Sequence, residues 1–302
     1  MRALLLFLAK QERFKNHAMK LGFFQKAAAR FVAGERLEDA IRVVRLANEQ
    51  NITGTLDLLG ENTLTRDDAI NTCQEIAGIF NSIRSENVNC NVSVKLTQLG
   101  LAVEEDLTRR NLLAIAGRAQ ETGNFVRVDM EESSYTQRTL DMVADAHEKL
   151  GNVGAVIQAY LYRSEQDTAR LLGRGIGIRL VKGAYLEPES VAFRKKKDTD
   201  ANFIKLMKVL LASKPYHAIA THDESIIAAT RDFARLQGIP KDHFEFQMLY
   251  GIRRDLQTRL AKEGYNVRIY IPFGRRWYSY FMRRLAERPA NVVFLARNLL
   301  KD

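Results

Sequence analysis

Metal and disulfide chemistry have little to work with in this sequence. Its two cysteines, Cys73 and Cys90, stand in neither a metal nor a redox spacing, and each lies among apolar neighbours. Buried free thiols in a reducing compartment are expected, not a disulfide framework. The five histidines (His17, His147, His217, His222 and His243) form no HExxH or comparable cluster, so no metal is expected. Long apolar runs are missing too. The apolar stretch from Ala3 to Ala9 falls far short of the ~20 residues of a membrane-crossing helix. No small-residue cleavage site follows it. A first helix packed on the domain is expected there, in a cytoplasmic protein.

Several catalytic signatures are also absent. There is no Walker A sequence and no Gly-x-Ser-x-Gly elbow. Gly173-Arg174-Gly175-Ile176-Gly177 imitates a dinucleotide fingerprint, but it precedes a strand pattern and lacks the third glycine at the required offset. The net charge of +10 invites a nucleic-acid partner. Its basic residues are scattered, however, and the densest run is Arg194-Lys195-Lys196-Lys197, with no zinc-finger spacing or aromatic-basic pattern beside it. No nucleic acid is expected; the charge reads as surface bias with some attraction to anionic lipid.

What is present is an ordinary globular composition, 46% hydrophobic and 27% charged over 302 residues, enough for a large core. Short β-branched apolar runs recur at 52–59, 91–97, 125–130, 155–160, 177–182, 217–222, 244–249 and 266–271. Helical patterns lie between them, for example at 65–82, 104–122, 135–150, 198–211, 223–236 and 252–263. Strict βα alternation means a parallel sheet with right-handed crossovers. Eight units point to an α/β fold of the (β/α)8 TIM-barrel type. A doubly wound open sheet is the alternative. Residues 1–50 read as an N-terminal helical segment packed on the barrel, with a turn at Phe31-Val32-Ala33-Gly34, and 51–302 as the catalytic barrel.

In such a barrel the active site gathers at the C-terminal ends of the strands. Those ends carry Asp57, Lys95, Asp129, Gln158, Lys182, His222, Gln247 and Tyr270. Each alone is a strand end reaching water; together they argue for an enzyme. After the last strand, which should end at Pro272 and Gly274, a helix pattern places Tyr280, Arg283, Arg284 and Glu287 at i, i+3, i+4 and i+7, on one face. Two guanidinium groups on one turn beside an aromatic ring suit a small anion, because each offers a fixed fork of donors. A solvated basic face is the plain alternative. Lys95 or Lys182 also leaves room for a Schiff-base aldolase on the same barrel, if its pKa were depressed by the nearby arginines. A related flavin barrel such as a methylenetetrahydrofolate reductase, or a non-catalytic binding barrel, are further readings.

Seven segments in order resemble FAD-dependent proline dehydrogenase. They are Val94-Lys95-Leu96-Thr97, Val128-Asp129-Met130-Glu131, Gln158-Ala159-Tyr160-Leu161 and Arg179-Leu180-Val181-Lys182-Gly183-Ala184-Tyr185, followed by Ala220-Thr221-His222-Asp223, Phe244-Glu245-Phe246-Gln247-Met248-Leu249-Tyr250-Gly251 and Tyr280-Phe281-Met282-Arg283-Arg284-Leu285-Ala286-Glu287-Arg288. The length resembles the compact, single-function bacterial form, without the aldehyde dehydrogenase portion of bifunctional relatives. The segment Gly274-Arg275-Arg276-Trp277-Tyr278 is shorter than in those long members.

The resemblance implies a distorted barrel whose last helix lies over the mouth, with FAD at the C-terminal strand ends. It implies oxidation of L-proline to Δ1-pyrroline-5-carboxylate, the first step of proline catabolism, by hydride transfer from C5 to flavin N5. Electrons would pass to a membrane quinone, with peripheral contact on the inner face of the membrane. Lys95, Arg283 and Arg284 would hold the carboxylate, and Tyr185, Leu249, Tyr270 and Tyr280 would surround the ring. Asp129 and Arg179 are the expected catalytic residues: Asp129 handles protons or holds its neighbours, and Arg179 faces the flavin near N5. Met130, Gln158, Val181, Lys182, Gly183, Ala184, Thr199, Thr221, His222, Gln247 and Glu287 complete the expected cofactor contacts.

Overall fold

Strand runs rich in Val, Ile and Leu on both faces can be satisfied only where both faces are covered, as in a parallel sheet sheathed by helices. The computed structural model describes residues 27–60 and 63–287 and shows that arrangement. The strands are β1 (Thr53–Leu58), β2 (Cys90–Val94), β3 (Val126–Val128), β4 (Val153–Gln158), β5 (Ile178–Val181), β6 (His217–Ala220), β7 (Phe244–Leu249) and β8 (Asn266–Phe273). All pairs are parallel and in chain order. β1 pairs with β8 as well as with β2, so the barrel is closed and the open-sheet alternative falls away.

Helix α1 (Leu37–Asn48) precedes β1 and packs on β1 and β8. Between successive strands run α2 (Arg66–Ser85), α3 (Glu105–Glu121), α4 (Ser133–Leu150), α5 (Ser164–Leu172), α6 (Lys196–Leu211), α7 (Glu224–Leu236) and α8 (Arg254–Lys262). Helix α9 (Trp277–Glu287) follows β8. Their starts follow local chemistry. The Thr65 hydroxyl accepts the Asp68 N–H at α2, and Asp223 accepts the Ser225 N–H at α7. Such caps contribute about 1 kcal/mol each. None of the described helices is long and apolar enough to cross a membrane.

The main core lies between helices and strands, where Ile76, Phe80, Ile115, Val143, Phe203 and Leu210 meet Val92, Val128, Leu180 and Phe246. Each such side chain contributes roughly 1.5–3 kcal/mol by burial. Cys73 and Cys90 are buried free thiols on this side, and burial pushes them up to about 11 and about 12. A second cluster sits apart: Ala27, Phe31, Val32 and Leu59 pack against Trp277, Tyr278 and Phe281 of α9.

Strand alternation sends every second residue inward. Among those residues are Thr55 and Asp57, Asn91 and Ser93, Arg127, Gln158, Arg179, Glu245 and Gln247, and Arg268 and Tyr270, beside the smaller or apolar Gly154, Val156, Val181, Ala218, Ala220 and Leu249. The barrel interior thus carries several buried charges, Arg127, Arg179, Glu245 and Arg268, where an aliphatic filling is usual.

The observed strands depart from the sequence reading mainly at their ends. β2 stops at Val94, β3 at Val128 and β6 at Ala220, which leaves Lys95, Asp129, Thr221 and His222 just beyond the ladder. β8 runs one residue past Pro272, and β4 starts two residues early. Residues 1–26, 61–62 and 288–302, including the apolar N-terminal run and Arg288, lie outside the described residues.

Candidate active site

The C-terminal strand ends and α9 enclose one cavity of about 540 Å³, well within the range of small-molecule sites. All eight polar strand-end residues line it: Asp57, Lys95, Asp129, Gln158, Lys182, His222, Gln247 and Tyr270. So do Met130, Arg179, Val181, Gly183, Ala184, Tyr185, Thr221 and Leu249, and, from α9, Tyr280, Arg283 and Arg284. Because α9 lines the same cavity as the strand ends, it lies across the barrel mouth. Its seat is the second apolar cluster, so burial of Trp277 and Phe281 is what points the two guanidinium groups inward.

Opposite charges organise the floor. Lys95 Nζ donates to Asp57 Oδ1 at 2.8 Å and to the Tyr270 hydroxyl at 3.4 Å, and lies 3.9 Å from Asp129 Oδ2. The Tyr270 hydroxyl donates to Asp129 Oδ2 at 2.7 Å. Arg179 Nη2 reaches Asp129 Oδ1 at 3.2 Å and donates to the Ser93 hydroxyl at 2.6 Å. The Arg179 guanidinium also stands 5.4 Å over the Tyr270 ring, as Arg284 stands 5.2 Å over that of Tyr280. Burial raises the Asp57 carboxyl above its ordinary value, with Lys95 opposing. Burial, Asp129 and Asp57 hold the Tyr270 phenol well above its own, so it stays a neutral donor.

A second layer stands beneath. Glu245 takes the Arg268 Nε–H on both oxygens, at 2.9 and 3.0 Å, and accepts from Gln247 Nε2. Burial alone would raise Glu245, but Arg268, Gln247 and Arg127 together hold it below its ordinary value. An ionised carboxylate only accepts, so it fixes the Gln247 amide with Nε2 downward. Gln247 Oε1 is then buried without a hydrogen-bond partner among the described residues.

The far side of the cavity carries Lys182, whose Nζ lies 2.6 Å from Asp200 Oδ1 and 2.9 Å from Asp223 Oδ2. Asp223 caps α7, and Lys196 Nζ approaches it at 3.3 Å. The Asp223 N–H bonds the Thr221 hydroxyl at 3.1 Å, and His222 Nε2 accepts the Leu249 N–H at 2.9 Å. Gly183, at φ +121°, lies against the Tyr160 ring so closely that a Cβ would overlap it; only glycine fits.

One expected contact is not brought in. Thr199 is buried in the first turn of α6 and does not line the cavity. Glu287 ends α9, and its side chain lies outside the described residues. Conversely, Asp57 is legible as a strand end but not as the partner of Lys95, and no sequence signal marks Asp200 as the partner of Lys182. Asp223 directly follows Thr221 and His222, a signal that was there to use. Lys196 was hidden inside a basic run that reads as plain surface.

Comparison with known proteins bears on what this cavity is for. A family model described as Proline dehydrogenase matches residues 40–297. The chain belongs to the proline dehydrogenase family. Proline dehydrogenase 1 of Bacillus subtilis is 40% identical over 301 residues, 100% of this chain and 99% of the other. The proline dehydrogenase of Deinococcus radiodurans is 43% identical over 279 residues, 91% and 90% of the two chains. Among solved structures, proline utilization A from Bdellovibrio bacteriovorus, inactivated by N-propargylglycine, superposes with a TM-score of 0.83 at 27% identity. That match covers 87% of this chain and 33% of the longer one. A proline dehydrogenase carries out the first step of proline catabolism, and the family is flavin-dependent. Membership thus sets aside the aldolase, folate-reductase and binding-barrel readings of the strand ends.

Proposed function

We propose that this enzyme oxidises L-proline to Δ1-pyrroline-5-carboxylate with FAD as its cofactor and a membrane quinone as the final acceptor. The observation that carries the substrate reading is the Arg283 and Arg284 pair on the lid helix, facing the Lys95 floor across one cavity. Guanidinium forks match a carboxylate bidentately, and a closed, low-dielectric site strengthens the attraction. Tyr185, Leu249, Tyr270 and Tyr280 offer apolar surface for the ring methylenes. Clamping the carboxylate fixes the orientation of the ring and so of its C5 hydrogen, an orientation effect on hydride transfer.

The residues present fit a flavin. Gln247 Oε1 is a buried acceptor suited to a ring N–H, and the bare Gly183 backbone offers close approach. Lys182, Thr221 and His222 stand near the N-terminus of α7, where a pyrophosphate is favoured by unpaired N–H groups. Met130, Gln158, Val181 and Ala184 are further contacts, with Thr199 and Glu287 as outer ones. When bound, FAD supplies the hydride acceptor. Arg179 would place positive charge where that electron density arrives. Asp129, held by Tyr270 and Arg179, is the carboxylate positioned to handle the amine proton or to keep both neighbours in place. The quinone acceptor and peripheral contact on the inner face of the membrane rest on the family likeness and the net charge of +10.

An absorbance spectrum followed by anaerobic L-proline tests this reading. Flavin bands should bleach with L-proline but not with D-proline or lactate, and a soluble quinone should restore them. A yellow protein that proline leaves unbleached would sink the substrate. A bleached protein that quinone does not reoxidise would sink the acceptor.

A further inference from the structure

Helix α4 begins without a cap of its own. Its N-cap residue, Glu132, makes no side-chain cap bond, and no acidic side chain lies in the first turn. The first N–H groups of a helix have no partner inside it, and that end attracts negative charge. Here the anion comes from far along the chain. Glu187 accepts the Ser133 backbone N–H on Oε1 at 2.7 Å and the Ser133 hydroxyl on Oε2.

Glu187 belongs to residues 182–195, which join β5 to α6 without helix or strand. This segment brings Gly183, Ala184 and Tyr185 to the cavity. Its later part is stitched to the turn after β4: the Tyr162 N–H bonds the Val191 carbonyl at 3.0 Å and the Phe193 N–H bonds that of Tyr160 at 2.8 Å. Its start is held where the Tyr160 N–H meets the Lys182 carbonyl at 2.9 Å. Glu187 ties the stretch between those seams, and ties it to a different element. Helix α4 follows directly on the turn that presents Asp129 and Met130. One carboxylate therefore joins the loops after β3 and β5, which wall the cavity on two sides.

We infer that Glu187 is a positioning residue: by capping α4 it holds Tyr185 and the Gly183 cradle in register with Asp129. This rests on the reading of Tyr185 as a substrate contact and Gly183 as a cofactor contact. A carboxylate suits the task because both oxygens accept from one residue while its charge meets the helix end.

The test compares the wild-type enzyme with Glu187→Ala, Glu187→Gln and Ala144→Gly, the last loosening α4 away from its cap. Three quantities are read: kcat against KM for L-proline with a dye acceptor, FAD release by flavin fluorescence, and chymotrypsin nicking after Tyr185 or Leu186. Glu187→Ala should raise KM roughly tenfold and lower kcat by about threefold to tenfold, since the register between the cavity walls and Asp129 is lost. FAD release and nicking should quicken with it. Glu187→Gln, which keeps one acceptor oxygen, should fall between and remain folded. Ala144→Gly should lower the melting temperature while KM and FAD release stay at wild-type values. Unchanged KM and FAD release in Glu187→Ala would overturn the inference, as would an equal KM rise in Ala144→Gly. A wild-type protein that neither holds FAD nor oxidises proline would instead defeat the functional reading, a separate outcome.

Discussion

Lys95 and Asp57 come from neighbouring strands, 38 residues apart, and their side chains are 9% and 1% exposed. Removing one member of so buried a pair leaves the other uncompensated. Lys95→Met should therefore cost about 3–5 kcal/mol of stability, and pairing it with Asp57→Asn should restore most of that. The pH dependence has a definite sign. Without Lys95 the Asp57 carboxyl, raised by burial, holds its proton more tightly folded than unfolded. The single variant should then lose stability as pH rises above the unfolded value near 3.8, and regain it in acid. Urea midpoints at several pH values check this; a single variant as stable as the wild type throughout would mean the two do not form a buried ion pair. Both residues were legible as strand ends, because the barrel rule sends such positions to the mouth. Their pairing was not, since no local spacing reports which residues of different strands will meet.

At the level of elements, α9 belongs to the active site but not to the main core. Phe281 is fully buried, with its ring 6.2 Å from Phe31 and 6.0 Å from Trp277 in the separate apolar cluster. Phe→Ala changes in cores cost about 3–5 kcal/mol. Here the loss should fall on the seating of the helix and leave the barrel standing. Phe281→Ala should raise KM for proline by tenfold or more, since ~1.4 kcal/mol suffices for each tenfold, with little change in the main thermal transition. A large drop in that transition would instead make α9 part of the folding unit. The helix was legible from its face of Tyr280, Arg283 and Arg284; its apolar seat on Phe31 and Val32 was not, because that contact spans nearly the whole chain. Strand limits were less legible than strand existence. The run 125–130 is β-prone up to Val128, and β3 keeps only Val126–Val128, because the chain turns toward α4 once the Asp129 N–H has bonded the Val94 carbonyl.

Across the whole molecule the eightfold alternation could be read directly, but the charged filling of the barrel could not, because Arg127, Glu245 and Arg268 look like the solvent-facing members of ordinary strands. That filling makes the fold sensitive to acid at one further place. His217, 1% exposed, accepts the Ile178 N–H on Nδ1 at 3.1 Å, so Nε2 carries the proton and donates to the Ser213 hydroxyl at 2.8 Å. A second proton would face that N–H. Burial first, then the Arg127 charge, lowers the imidazole to about 3. Burial likewise lowers Arg127 itself to about 9, with Arg179 and Arg268 adding repulsion and Glu245 opposing. The folded His217 thus stays neutral at pH values where the unfolded one is protonated. Its contribution is intact above about pH 6.5 and declines as pH falls toward 3, by up to roughly 4 kcal/mol. Glutamine at this position offers an acceptor and a donor but does not titrate. His217→Gln should therefore be less stable than the wild type at pH 7.5, yet lose less stability between pH 7 and pH 4.5. Parallel loss in the two proteins across that interval would show that the acid sensitivity lies in the carboxylates, and that His217 is protonated as readily in the fold as out of it.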